Sequence, residues 1–184
     1  RMVDGFFLNN QMTDFAFVPT DAQGRLVANQ TVVIENRRIT ALGPRASVRT
    51  PAGARVINGR GRFLMPGLWD MHVHSPGPDN DALLPVYIAY GVTGVRDMGA
   101  DLELLLAQRA RIARGDAVGP RIVMAGPIVD GPLGLPMPQA HRRWRVELTD
   151  TTRARYVVDS IAALGADFIK VHERLAPDVY RAIA

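Results

Sequence analysis

Leu64-Met65-Pro66-Gly67-Leu68-Trp69-Asp70-Met71-His72-Val73-His74 is the stretch that decides how the chain is read. If Leu68 to His74 is a strand, its side-chain period of two puts Asp70, His72 and His74 on one face and Trp69, Met71 and Val73 on the other. The two imidazoles then lie about 7 Å apart along the backbone, close enough to converge on one metal ion. A half-buried strand with incidental histidines is the alternative reading. Against it, the chain has only four histidines, and a metal needs clustered ligands.

Downstream of Pro66-Gly67 strand patterns alternate with helical ones, which predicts parallel βα units. The strand from Leu68 is followed by a turn rich in Pro, Gly and Asp and a helix from about Asp81 to Tyr90, whose Pro85 delays its start. Next come a strand Val92 to Arg96, a helix capped by Asp101 and closed by Gly115, and a strand Arg121 to Ala125. Gly126 to Val146, punctuated by Pro127, Pro132, Pro136 and Pro138, is expected to be a long loop lying over a pocket. A helix from Asp150 to Leu164, with Tyr156, Val157, Ile161 and Leu164 inward, leads to a fourth strand, Asp167 to Val171. The last helical pattern opens at Pro177 and reaches Ala184 with no C-cap.

Upstream, Asp14 to Val18, Gln30 to Glu35, Arg38 to Leu42 and Ala54 to Ile57 read as short strands separated by turns such as Asn58-Gly59-Arg60-Gly61. Residues 1–65 are therefore expected to form a small β-sandwich-like domain, and residues 66–184 the first four βα units of a (β/α)₈ TIM barrel. A closed barrel needs eight units and typically about 250 residues, and an open four-unit sheet would leave two long edges. The α/β expectation is accordingly an N-terminal half-barrel in a truncated chain.

Composition narrows the chemistry. The absence of cysteine excludes a disulfide framework and thiolate ligands, leaving His, carboxylate and related oxygen donors for any metal. The net charge of +4 comes from scattered arginines, the tightest group being Arg142, Arg143 and Arg145 around Trp144. No recognisable nucleic-acid motif accompanies them. No run of 18 apolar residues is present to span a membrane. The start shows no full signal pattern, but a chain beginning at Arg1 is compatible with a processed start, so cytoplasmic and periplasmic or secreted locations both stay open.

Of the 22 lysines and arginines, one is a lysine, Lys170, within the apolar stretch Phe168-Ile169-Lys170-Val171. Where only positive charge is needed the chain uses Arg, so this position points to an amine that can lose its proton, which a guanidinium cannot do. A packed stem with its head at the surface is the alternative.

These stretches resemble the metal-dependent amidohydrolase superfamily, in its prolidase-like or imidazolonepropionase-related branch. The resemblance is carried by Val32-Val33-Ile34 through Ile39-Thr40-Ala41-Leu42-Gly43, then Leu64 to His74, Gly91-Val92-Thr93-Gly94-Val95-Arg96-Asp97, and Gly165-Ala166-Asp167-Phe168-Ile169-Lys170-Val171, in the family's order. It implies a (β/α)₈ barrel with a small β domain and a metal centre at the C-terminal mouth. His72 and His74 would hold one ion, commonly zinc. Lys170, carboxylated by CO₂, would bridge two ions as a carbamate. The family's further histidines, after the fifth and sixth strands, and its Asp after the eighth have no counterparts here, and His141 and His172 precede those positions.

The expected activity is metal-assisted hydrolysis of an amide or related C–N bond in a small-molecule substrate such as a dipeptide or cyclic amide, esters and lactones remaining open. Asp70 is a candidate for orienting an imidazole. His172, two residues beyond Lys170 and on its face, is a candidate substrate contact. The alternative is a catalytically incomplete fragment that binds metal without turnover, or a half-barrel subunit completed by its own copy as a homo-oligomer or by a complementing C-terminal half.

Overall fold

A computed structural model describes residues 2–3, 6–7, 23, 25, 27–36, 38–62, 64–75, 82–136 and 139–184, the side chains of residues 2, 3, 6, 7, 140 and 141 aside. The expected strand Asp14 to Val18 and the turn at residues 76–81 lie outside them. The chain divides into two compact units, Arg1–Gly67 and Leu68–Ala184.

In the first unit β1 (Met2–Val3) pairs antiparallel with β2 (Phe6–Phe7), and β3 (Gln30–Glu35) with β4 (Arg38–Pro44). The β-branched run Thr31-Val32-Val33-Ile34 suits a pleated surface, and Asn36, at φ 49°, takes the left-handed turn that reverses the chain. Ala54 to Ile57 is irregular and solvent-exposed rather than a strand, since it pairs with no other strand among the described residues. The described strands make two separate two-stranded sheets, too few to face each other as a sandwich.

The second unit runs β5 (Leu68–Val73), α1 (Leu84–Ala89), β6 (Val92–Asp97), α2 (Leu102–Arg114) and β7 (Arg121–Met124), then β8 (Ile128–Asp130), β9 (Arg145–Glu147), α3 (Ala154–Ala163) and α4 (Pro177–Ile183). Strands β5, β6 and β7 form a parallel sheet in that order, with Val73 opposite Asp97 and Asp97 opposite Met124. Pro85 sits in the first turn of α1, where a missing amide is not felt. The α2 boundaries follow the expected signals: the Asp101 side chain accepts the Glu103 amide at 3.0 Å, and Gly115 closes the helix at φ 84°.

Three expectations are corrected. Gly126 to Val146 is not a structureless loop, because β8 and β9 pair in parallel inside it and a 3₁₀ turn, Gln139–Arg143, joins them. Asp167 to Val171 does not form a strand. Its contact with β8 is one bridge, Val129 to Val171, and Asp167 donates its amide to Met124 O at 2.8 Å. Helix α3 starts at Ala154, after a turn in which Asp150 accepts the Thr152 hydroxyl and the Arg153 amide. These two bonds, the Thr152 hydroxyl first, hold the Asp150 carboxyl below its usual pKa. The buried stripe of α3 is Ala154, Val157 and Ile161, an i, i+3, i+7 set, whereas Tyr156 and Leu164 are exposed.

Two apolar clusters form the core of this unit. Val73, Val95, Leu102, Leu105, Ile122 and Met124 pack between the sheet and α2, and Val129, Leu148, Ala154, Val157, Ile161 and Val179 pack under α3 and α4. Ala166 touches both. Leu105 is 2% exposed, so Leu105→Ala is expected to cost about 2–5 kcal/mol of stability. Asp101→Ala, which removes the cap and an exposed ion pair with Arg143, is expected to cost about 1 kcal/mol. Urea denaturation followed by circular dichroism measures both.

Candidate functional site

Because β5 and β6 are parallel, with Val73 opposite Asp97, their C-terminal ends meet at one edge. There Asp97, fully buried, takes two main-chain donors: the Ser75 amide on Oδ2 at 2.5 Å and the Gly99 amide on Oδ1 at 3.0 Å. A buried carboxylate needs such donors, because its unpaired charge would be costly. Gly99 turns at φ 146°, a conformation that L side chains rarely adopt. Its carbonyl accepts from Nδ1 of His74 at 2.8 Å. A carbonyl only accepts, so Nδ1 carries the hydrogen and Nε2 keeps its lone pair.

The His72 ring lies beside His74, centroids 5.3 Å apart and planes at 61°. Asp70 makes a local bond, its Oδ1 accepting the backbone amide of His72 at 3.1 Å. This local bond competes with the strand ladder, whose register shifts between Asp70 and Val73. Strict alternation is lost there, and Asp70, Met71 and His72 are all exposed while Val73 is buried. Tyr87 of α1 has its phenol pKa raised, first by burial and then by the negative charges of Asp70 and Asp97.

Lys170 is half-buried, and its carbonyl accepts the Val129 amide at 2.8 Å while His172 donates its amide to Val129 O at 3.0 Å. Beside this bridge stands a second fully buried carboxylate, Asp130. Its Oδ1 accepts the amides of Gly131 at 2.8 Å and Arg174 at 2.9 Å. Its Oδ2 meets the Arg145 guanidinium and, at 3.1 Å, Nδ1 of His172. Gly131 admits this packing because a Cβ there would overlap the Arg174 carbonyl.

A cleft of about 620 Å³ joins the two groups, its lining including His74, Gly99, Gln108, Trp144, Arg145 and His172. His74 and His172 thus share one space, whereas His72 and Lys170 are not among its lining residues. Among the described residues no three His, Cys, Asp or Glu side chains form a metal-sized cluster, and no carboxylate pairs with the Lys170 ammonium. Sequence patterning alone assigns no role to Asp97 or Asp130, and reads Arg145 only within the basic group Arg142 to Arg145, near the long loop, as a contact for an acidic substrate group. A signal for the two acids is nevertheless present: each aspartate lies one or two residues before a glycine, as Val95-Arg96-Asp97-Met98-Gly99 and Ile128-Val129-Asp130-Gly131.

No protein-family model matches the chain. Among solved structures it is similar to a prolidase complexed with N-methylphosphonate-L-proline, at TM-score 0.72 and 24% identity over 88% of this chain and 49% of that one. It is also similar to a protein from Bifidobacterium longum provisionally described as a prolidase, at TM-score 0.68 and 25% identity over 89% of this chain and 42% of that one. The 5-methylthioadenosine/S-adenosylhomocysteine deaminase of Symbiobacterium thermophilum is 38% identical over 58 residues, 32% of this chain and 13% of that protein. The chain therefore spans about half the length of the solved structures it matches.

Asp97→Ala leaves the Ser75 and Gly99 amides without their acceptor, and is expected to lower stability by about 1–3 kcal/mol for each amide left unpaired; chemical denaturation checks this. For Tyr87, a folded-state pKa above the unfolded one means that the contribution to stability is intact below the ordinary phenol pKa and falls as pH rises through the folded value. Tyr87→Phe should flatten that alkaline decline, as read by denaturation midpoints across the alkaline range.

Proposed function

We propose that this chain, which belongs to the amidohydrolase superfamily, forms the first part of a hydrolase acting on carbon–nitrogen bonds with the help of one or two divalent ions, zinc foremost. The observation that carries this reading is the imidazole pair at the end of β5, with Nε2 of His74 freed by the bond from Nδ1 to Gly99. The donor set fits zinc, which takes imidazole nitrogen readily and needs no thiolate.

His72 and His74 would hold the ion, and Lys170, converted by CO₂ to a carbamate, would add a bridging oxygen ligand. A bound divalent ion supplies acidified water near neutral pH and polarises the scissile carbonyl. The chain's own residues do the positioning. Asp97 fixes Gly99, and Gly99 fixes the tautomer and orientation of His74. His172 lines the same cleft as His74, which supports a contact with the substrate. A small amide is the substrate class, and the prolidases among the structural neighbours support a dipeptide within it.

A second reading, a half-barrel subunit without turnover, is favoured by one observation: Leu68, Trp69 and Met71 are exposed along β5, at the edge of its sheet. A dilute, compact monomer in light scattering would count against it.

His72→Ala and His74→Ala are each expected to weaken zinc binding more than about tenfold, measured by chelator competition. In the full-length protein, hydrolysis across a dipeptide panel should fall about 100-fold or more, the several kcal/mol that a metal supplies. Purified full-length protein without stoichiometric metal, together with unchanged hydrolysis in His72→Ala, would overturn the proposal.

A further inference from the structure

The second buried carboxylate has a geometry that no ligand role of His72, His74 or Lys170 accounts for. Asp130 is solvent-inaccessible and gathers four donors: two amides on Oδ1, and the Arg145 guanidinium and the His172 ring on Oδ2. Arg145 is itself nearly buried, its side chain 9% exposed, whereas the His172 side chain is 43% exposed. A carboxylate can only accept, so the His172 nitrogen facing it, Nδ1, must carry the hydrogen. With Nδ1 turned to the buried acid, the open part of the ring carries Nε2 toward the cleft that His172 lines.

We propose that Asp130, held in place by Arg145, is a positioning residue that fixes His172 in its Nδ1-protonated tautomer and thereby makes Nε2 a hydrogen-bond acceptor in the cleft. The complementary ligand chemistry is a group with an N–H or O–H donor, such as a primary or secondary amide. This substrate preference rests on the cleft being the substrate site proposed above, but the tautomer assignment does not.

Replacing Asp130 by Asn gives a defined expectation. The Gly131 and Arg174 amides require an oxygen at the Oδ1 position, so the new amide nitrogen takes the Oδ2 position, where it turns away the Arg145 guanidinium and donates toward His172. Nδ1 must then accept, and the hydrogen moves to Nε2.

The test is long-range ¹H–¹⁵N correlation NMR of the metal-stripped protein at a pH where imidazole is neutral, with His172 assigned from a His172→Gln variant. Wild type should show the Nδ1–H form of His172 as the major tautomer, and Asp130→Asn should reverse it. Wild type alone is decisive if the variant does not fold: a major Nε2–H form overturns the proposal, as does an unreversed tautomer in folded Asp130→Asn. The probes for the cleft are acetamide, which has N–H donors, and N,N-dimethylacetamide, which has none. Acetamide should shift the wild-type His172 Nε2 signal and the dimethyl compound should not; an equal response to both, or to neither, overturns the acceptor role. None of these measurements involves turnover, so their failure is distinct from a failed hydrolysis assay.

Discussion

A carboxylate sealed from water has to be surrounded by donors, and the cleft end of this molecule is arranged around two that meet that demand. Asp97 draws in the amides of Ser75 and Gly99, which ends β5 and β6 together and shapes the turn from which His74 is held. Asp130 draws in Gly131, Arg174, Arg145 and His172, which ties β8, β9 and the Lys170 segment to one point. Each bond on its own is modest. Removing the acceptor, however, would strand several buried donors at once, so the strand ends are held more firmly than their short ladders alone would hold them.

Those ladders are short for a reason visible in the sequence. Strand β8 has three residues, flanked by Gly126-Pro127 and Gly131-Pro132, and prolines cannot extend a ladder. It nevertheless bonds on both sides, to β9 and to Val171. The backbone around Lys170 is therefore fixed by two main-chain bonds to Val129 and by Asp130 rather than by a full strand.

Much of the second unit is legible in its amino-acid sequence. Asp101 and Gly115 mark the ends of α2, Pro85 the late start of α1, and the period of two brings His72 and His74 together, because these signals are local and depend on backbone chemistry alone. What escapes is non-local. The pairing of Ile128–Asp130 with Arg145–Glu147 spans a stretch of prolines and glycines with no periodic pattern, so the segment reads as a loop. The partners of Asp130 are likewise distant in sequence, and nothing near it announces Arg145 or His172. For Asp70 the period of two indicates the histidine face, and a period count does not show the local bond its side chain accepts from the amide two residues on.

Ala166 is where the two apolar clusters meet, and little else in the core is common to both. Polar bonds join the clusters beside it: the Asp167 amide donates to Met124 O at 2.8 Å, the Met124 amide donates to Asp167 Oδ2 at 2.9 Å, and Arg109 of α2 pairs with the same carboxylate at 2.8 Å. His74 is anchored beside the first, through β5 and β6; His172 is anchored beside the second, through β8. The two walls of the cleft are therefore joined through one linking carboxylate, Asp167. The distance across the cleft is thus referred to that link, while each imidazole keeps its own anchor, Gly99 O for His74 and Asp130 for His172.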